Sequence, residues 1–384
     1  MYATLYDLIF DLTGLKLPFL QIVNTFGLLV ALSVAAAYQV FSAEFRRRHI
    51  QQQFPTFSLL TVVGKPFSAA DYVSSALLGF IMGHKLLYLM IWPEAAGQDP
   101  AGFLFSGDGS LGLGVLVMAL VLGMKYREDR KQRLPKPEER ISKVGPDYFM
   151  GNISALALLF GFLGAKCFHI LEDWSTFTAD PLGSIFSTGG WTFYGGLIGG
   201  GAAVLVYTHK KGMNIFRVLD VGAPGMMISY AVGRLGCHLS GDGDWGIVNT
   251  TPAPSWMPSW MWSYHYPNNV IDAGIPIPGC AQTHCYMLEA PVFPTPLYEF
   301  AAGMLLFAAL WMLRKKPFAP GVLFGIYLIM AGVERWFVET IRVNTQYHFA
   351  GLEFSQAQLI SVILIVAGSF GIWYLSRNRL PEKA

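Results

Sequence analysis

The sequence predicts an all-α fold, a polytopic transmembrane helical bundle of about nine helices with the N-terminus outside and the C-terminus cytoplasmic. Three observations carry that expectation. Of 384 residues, 53% are hydrophobic and only 14% are charged, with a mean hydropathy of +0.42, far from a soluble globular domain. Apolar runs of spanning length recur along the chain, each needing about 20 residues to cross the hydrocarbon layer. The cations are lopsided: alternating the spans from an outside N-terminus places 21 of the 27 lysines and arginines on the inner side. The formal net charge of +2 says nothing until the charges are placed in this way.

The first run, Leu17 to Phe41, reads as a retained helix. Asp7 and Asp11 interrupt the start and no basic segment precedes it, so a cleavable signal peptide is not expected. Further helices are expected to begin near Tyr72, Leu111, Gly151, Trp191, Arg217, Pro296, Gly321 and Ala357. Leu111 to Met124 is short and fits either a span or a re-entrant segment; the alternation of cations favours a span. The charged, proline-bearing link Lys125–Lys143 reads as a cytoplasmic loop, and only Lys16 and Arg342 fall outside. Four cations, Lys85, Lys166, Arg234 and Arg335, lie within predicted helices, where a charge is costly unless it serves a site.

The whole chain, 1–384, reads as a single integral membrane domain containing a repeat. Shifted by about 81 residues, LLGFIMGHK (Leu77–Lys85) lies over LLFGFLGAK (Leu158–Lys166), and DPAGFLFSGDG (Asp99–Gly109) lies over DPLGSIFSTGG (Asp180–Gly190). A two-helix hairpin has been duplicated: residues 63–126 are the extra copy and 144–207 the second. Residues 239–295 form an extracytoplasmic loop whose SWMPSWMWSYHY stretch suits an arm at headgroup depth. In that oxidising compartment Cys280 and Cys285 suit a local disulfide, whereas His284 between them lacks partners for a metal site. Cys167 suits core packing, and Cys237 beside His238 is a weak nucleophile–base pair because neighbours on a helix point different ways.

Several polar residues share one depth. Lys166, Tyr194, Arg234, Tyr298, Glu299, Glu334, Arg335 and Glu339 all fall near the outer ends of their helices, roughly 5 to 12 Å in at 1.5 Å per residue. Arg335 and Glu339 are spaced for an ion pair on one helical face, which leaves Arg234 unexplained. Two inward arginines at headgroup depth suit a phosphate diester better than a lone carboxylate. The run FYGGLIGGG either allows close helix packing or, through Gly195 and Gly196, lets lipid approach Tyr194.

With these residues in place, the chain resembles the prolipoprotein diacylglyceryl transferases of bacterial membranes. FYGGLIGG is similar to the family's F-H-G-G-L-I-G, GRLGCHLSGDGDWG to G-R-L-G-N-F-x-N-G-E-x-W-G, PTPLYE to H-P-S-Q-L-Y-E, and GVERWFVETIR to G-x-x-R-x-x-V-E-x-x-R. The resemblance implies a multi-pass enzyme of the bacterial inner membrane. It would transfer the diacylglyceryl group of phosphatidylglycerol to the lipobox cysteine thiol of a prolipoprotein signal peptide, releasing glycerol phosphate. It implies neither cofactor nor metal, and no nucleic-acid partner. On the same basis Arg234 and Arg335 would hold phosphate and Glu339 would orient Arg335. Lys166, Gly195, Gly196, Gly246, Tyr298 and Glu299 would line the substrate, and Asp242 or Asp244 would stand in for the signature glutamate. Tyr194 replaces the family's histidine, so Tyr194, an acidic residue or His238 would have to deprotonate the thiol, unless the arginine field lowers its pKa. The competing reading is a non-catalytic or transport protein that binds anionic phospholipid, or a related transferase with another acceptor.

Overall fold

In the computed structural model, which describes residues 1–96, 103, 106–187, 191–280, 282–344, 346–349 and 352–377, the chain is mostly helical. The main helices are α1 (Leu5–Thr13), α2 (Thr25–Ile50), α3 (Ala69–Ile91), α4 (Leu111–Gln132) and α5 (Met150–Glu172). They are followed by α6 (Phe193–Lys210), α7 (Ile215–Ser240), α8 (Thr295–Leu313), α9 (Val322–Glu339) and α10 (Gln356–Arg377). Six of these, α2, α3, α5, α7, α8 and α10, are long and apolar enough to cross a membrane. The charged end of α4, the glycine run of α6 and the three charged residues Glu334, Arg335 and Glu339 of α9 lower the hydropathy of the other three long helices.

The first spanning helix begins at Thr25 rather than Leu17, because Pro18 starts a 3₁₀ turn over Pro18–Ile22. It runs on to Ile50, past the basic triplet Arg46–Arg48, whose charges find acidic partners. The fold is also not purely helical. Among the described residues there are three two-stranded antiparallel sheets: β1 (Phe57–Val63) with β2 (Glu138–Val144), β3 (Ile275–Pro276) with β4 (Tyr286–Met287), and β5 (Gln346–Phe349) with β6 (Leu352–Ser355). The link Lys125–Lys143 is therefore no simple loop, since α4 continues to Gln132 and β2 follows.

The chain forms two compact units. One comprises residues 4–24 and 57–144 and holds the first hairpin, α3 packed on α4. Capping boxes at Thr4/Asp7 and Ser68/Asp71 satisfy the free N–H groups that start α1 and α3. The other unit comprises residues 1–3, 25–56 and 145–384 and holds α2 and α5 to α10. Its centre is α7: 56% of its apolar window is buried, against 11–22% in the other five spanning helices. Ala223 and Met227 of α7 pack with Leu310 of α8 and Leu323 of α9, while the Phe41 ring of α2 lies where a side chain at Gly225 would stand.

Each unit contains one of the two hairpins of similar sequence, and the two solve the same problem alike. A Cβ at Gly83 would meet the Leu113 carbonyl, and one at Gly164 would meet the Gly195 carbonyl, so both positions permit close helix approach. Lys85 Nζ donates to the carbonyls of Phe103 (2.9 Å) and Ser106 (2.8 Å), and Lys166 Nζ donates to Ser187 O (3.1 Å) and Oγ (2.7 Å). Gly83, Lys85 and Ser106 stand in the same register to Gly164, Lys166 and Ser187. Each lysine thus ties the turn of its own hairpin. Parts of the aligned loops, 99–102, 104, 105 and 188–190, lie outside the described residues.

Candidate active site

Helix α7 stops where Gly241 takes a left-handed conformation (φ 66°) and its N–H caps the Cys237 carbonyl. The turn that follows, Asp242-Gly243-Asp244, folds back over the last turn of the helix, with Gly243 at φ 100° and Asp244 N donating to Asp242 Oδ1 at 3.3 Å. Asp244 thereby meets Arg234 in an ion pair and receives a hydrogen bond from Arg342 Nη2 at 2.8 Å. Thr295, the first residue of α8, donates its hydroxyl to the Asp244 carbonyl at 2.9 Å and holds the turn in place.

One helical turn further along α8, Glu299 is fully buried and is the hub of the site. Three guanidinium groups converge on it: Arg335 Nη1 at 3.2 Å, Arg342 Nη1 at 3.3 Å and Arg234 Nε at 3.6 Å. Tyr230 of α7 donates its hydroxyl to Glu299 (3.1 Å) and to Glu334 of α9 (3.1 Å). Arg335 also pairs with Glu339 (2.8 Å), one turn along α9, and Glu339 accepts from Asn344 Nδ2 at 2.5 Å. The two fully buried carboxylates, Glu299 and Glu339, each have arginine partners, which a charge in a low-dielectric setting requires. The arginines are not exhausted by these pairings. A guanidinium carries five donors, Arg234 Nη2 has no hydrogen-bond partner among the described residues, and the Arg234 and Arg335 side chains remain 21% and 22% exposed.

The two acidic residues of the turn differ. Burial works against ionisation of Asp244, but Arg234 and Arg342 outweigh it and hold its carboxyl below the usual range. For Asp242, burial prevails, the neighbouring Asp244 charge adds to it, and the carboxyl is pushed up. Cys237 Sγ and carboxylate oxygens of Asp242 and Asp244 lie within 4.8 Å of one another. Both Asp244 oxygens are engaged by arginines, which leaves too few open ligands for a metal.

The remaining candidate residues fall elsewhere or take other duties. Gly246 is where the chain passes under Ile341 and Arg342: a Cβ there would stand 2.4 Å from the Ile341 carbonyl, and Ile247 N donates to that carbonyl at 2.9 Å. Its lack of a side chain therefore positions Arg342. Tyr298 donates to the Met261 carbonyl at 2.6 Å and fastens the aromatic arm to α8. His238 is buried with Nδ1 3.1 Å from the Tyr266 hydroxyl, among the rings of Tyr264 and Tyr266, and so faces the arm. Burial pushes the Tyr266 phenol up, which keeps it a neutral partner. Tyr194 is half-buried near the start of α6, against the Phe193 ring, and its hydroxyl makes no hydrogen bond among the described residues. Gly195 is spent on packing, its missing Cβ lying 2.4 Å from the Gly164 carbonyl, whereas Gly196 meets Gly161 O at ordinary contact. Lys166 is buried and donates to Ser187. In the arm, Trp256 and Trp260 are exposed; further along the same loop Cys280 and Cys285 are disulfide-bonded, and Asn269 is buried with its side chain bonded to three backbone carbonyls.

Sequence reasoning missed two members of the cluster, Arg342 and Tyr230. By charge placement Arg342 reads as an outer cation, although it is the last residue of the GVERWFVETIR motif and that position is the available signal. Tyr230 carries one too, standing four residues before Arg234 on the same face of α7.

A multi-pass helical membrane protein with a buried arginine–carboxylate cluster gathered at one end of its central helices is the class that fold and site define. The chain belongs to the prolipoprotein diacylglyceryl transferase family, whose sequence model matches residues 111–374. It is similar to the phosphatidylglycerol–prolipoprotein diacylglyceryl transferase of Leptospira interrogans, 28% identical over 70% of this chain and 91% of the relative. It is 31% identical to that of Chlorobaculum tepidum over 60% of this chain and 75% of the relative. To that of Enterococcus faecalis it is 30% identical, over 56% of this chain and 71% of the relative.

Proposed function

We propose that the protein transfers the diacylglyceryl group of phosphatidylglycerol to the thiol of a lipobox cysteine in a prolipoprotein signal peptide, with release of glycerol phosphate. The observation that carries this reading is the preassembled set of three arginines around Glu299, with donors of Arg234 and Arg335 still open. A thiolate sulfur attacks the glyceryl carbon, the carbon–oxygen bond to phosphate breaks, and the electron pair leaves with the phosphate. The open guanidinium donors stabilise that developing charge without having to reorganise. Glu299 positions the three arginines and Glu339 orients Arg335.

The thiol proton needs an acceptor, and Asp242 suits it better than Asp244, which is fixed between two arginines. A carboxyl whose pKa is raised is a stronger base than an ordinary one. Activity should rise with pH as the Asp242 carboxylate forms, and Asp242→Asn should remove that acid limb and lower kcat/KM about 100-fold. Tyr194 contributes shape rather than proton transfer, so Tyr194→Phe should stay within a few-fold of the parent; the reverse ranking of the two variants would exchange these roles.

The finer topology belongs to the same proposal: nine spans, an outside N-terminus, a cytoplasmic C-terminus and a bacterial inner membrane. Its support is that each of α4, α6 and α9 packs along a helix of spanning length, on α3, α5 and α10 respectively. The function is tested with purified protein, phosphatidylglycerol and a synthetic lipobox peptide, following the peptide by mass spectrometry. A diacylglyceryl mass gain is expected. No gain where the Chlorobaculum tepidum relative gives one would favour the lipid-binding reading.

A further inference from the structure

The helices that build the candidate active site carry a second cationic site at their opposite ends. The end of α2, the start of α7 and the turn from α8 into α9 enclose a cavity of about 200 Å³ whose lining includes Arg47, Arg48, Arg314, Lys315, Lys316 and Asp220. Glu44, fully buried, organises it as Glu299 organises the first, pairing with Arg314 at 2.7 Å, Arg47 at 2.8 Å and Arg48 at 3.3 Å. Arg47 Nη2 donates to the Arg314 carbonyl at 2.8 Å, which locks α2 to the end of α8. Asp220 is held by the N–H groups of Gly321 and Phe324, both at 2.9 Å, and faces Arg48 at 3.6 Å. Five cations thus meet two carboxylates, and the exposed Lys315 and Lys316 side chains have no partner among the described residues.

A bias of cations toward one membrane face accounts for basic residues at helix ends. It does not account for five of them converging on one cavity, three with their guanidiniums fixed by a buried glutamate. We propose that this cavity binds a phosphate group, carried by an anionic phospholipid in the leaflet opposite the candidate active site. From Asp220 to Arg234 the two sites are about 21 Å apart along α7 at 1.5 Å per residue, on the scale of the hydrocarbon layer. A lipid fits better than a soluble anion because Phe318, 39% exposed, lines the cavity, giving acyl chains apolar surface to follow. Cations of this kind near a membrane surface attract anionic lipid.

The test is native mass spectrometry of the full-length protein in a neutral detergent, with phosphatidylglycerol in one arm and inorganic phosphate in the other. The parent is expected to retain a phosphatidylglycerol whose binding weakens about tenfold or more in Lys315→Gln/Lys316→Gln and is kept in Lys315→Arg/Lys316→Arg. Lysine-dependent binding in the phosphate arm alone would keep the site and make its ligand a soluble phosphate. Binding indifferent to both lysines in both arms overturns the proposal. Transfer activity is unchanged by these variants, so failure here and failure of the transferase reading are separate results.

Discussion

Replacing Arg234 with alanine should lower diacylglyceryl transfer by about three orders of magnitude or more. Removing one preorganised donor to a developing oxyanion costs about 100- to 1,000-fold in kcat. Arg234 does more than donate, because its ion pairs with Asp244 and Glu299 hold the turn after α7 against the start of α8. Its loss also leaves those carboxylates short of positive charge, most of all the fully buried Glu299. Arg234→Lys restores the charge without the planar fork and should recover only a small part of the rate. The measurement is the initial rate of peptide mass gain, with a melting curve of each variant to separate catalysis from folding. An alanine variant within tenfold of the parent, folded to the same degree, would remove Arg234 from the reaction.

Glu299→Ala should be the most destabilising single change in the site. The carboxylate is fully buried and faces three guanidiniums, so truncating it leaves positive charges crowded together and unbalanced. Breaking a buried pair from one side typically costs about 3 to 5 kcal/mol. The expected readouts are a lowered melting temperature in detergent and loss of transfer. Glu299→Gln keeps the volume and some hydrogen bonding and should fall between the two. Combining Glu299→Ala with Arg234→Ala should cost less stability than the sum of the singles, because the double variant removes both members of a pair. Strict additivity would show that the two residues do not share one network.

Much of the cluster was legible as membership and little of it as pairing. Arg234, Glu299, Arg335 and Glu339 are readable from charge at a helix end and from motif spacing. The choice between Asp242 and Asp244 was not, because the two acids are two residues apart and only the αL cap at Gly241 decides which one meets the arginines. Arg342 reads as an ordinary outer cation until the turn after α9 brings it back beside Gly246. Lys85 and Lys166 show the opposite case. Their repetition was plain in the sequence, but their use, tying the hairpin turns at Ser106 and Ser187, appears only when the loops fold onto the helices.

The sequence by itself determined the membrane-embedded helical class, the order of the helices, the likeness of the two hairpins and the set of motif residues, because hydropathy, charge bias and repetition are read along the chain. Tertiary structure alone decided that Glu299 is the hub, that Arg342 completes the site, that Gly195 serves packing, and that a second arginine cluster forms around Glu44. The physical reason is distance along the chain. Arg335 meets Glu299 across 36 residues, Arg342 meets Asp244 across 98, and Arg314 meets Glu44 across 270, and no local pattern encodes which charges will share one buried space.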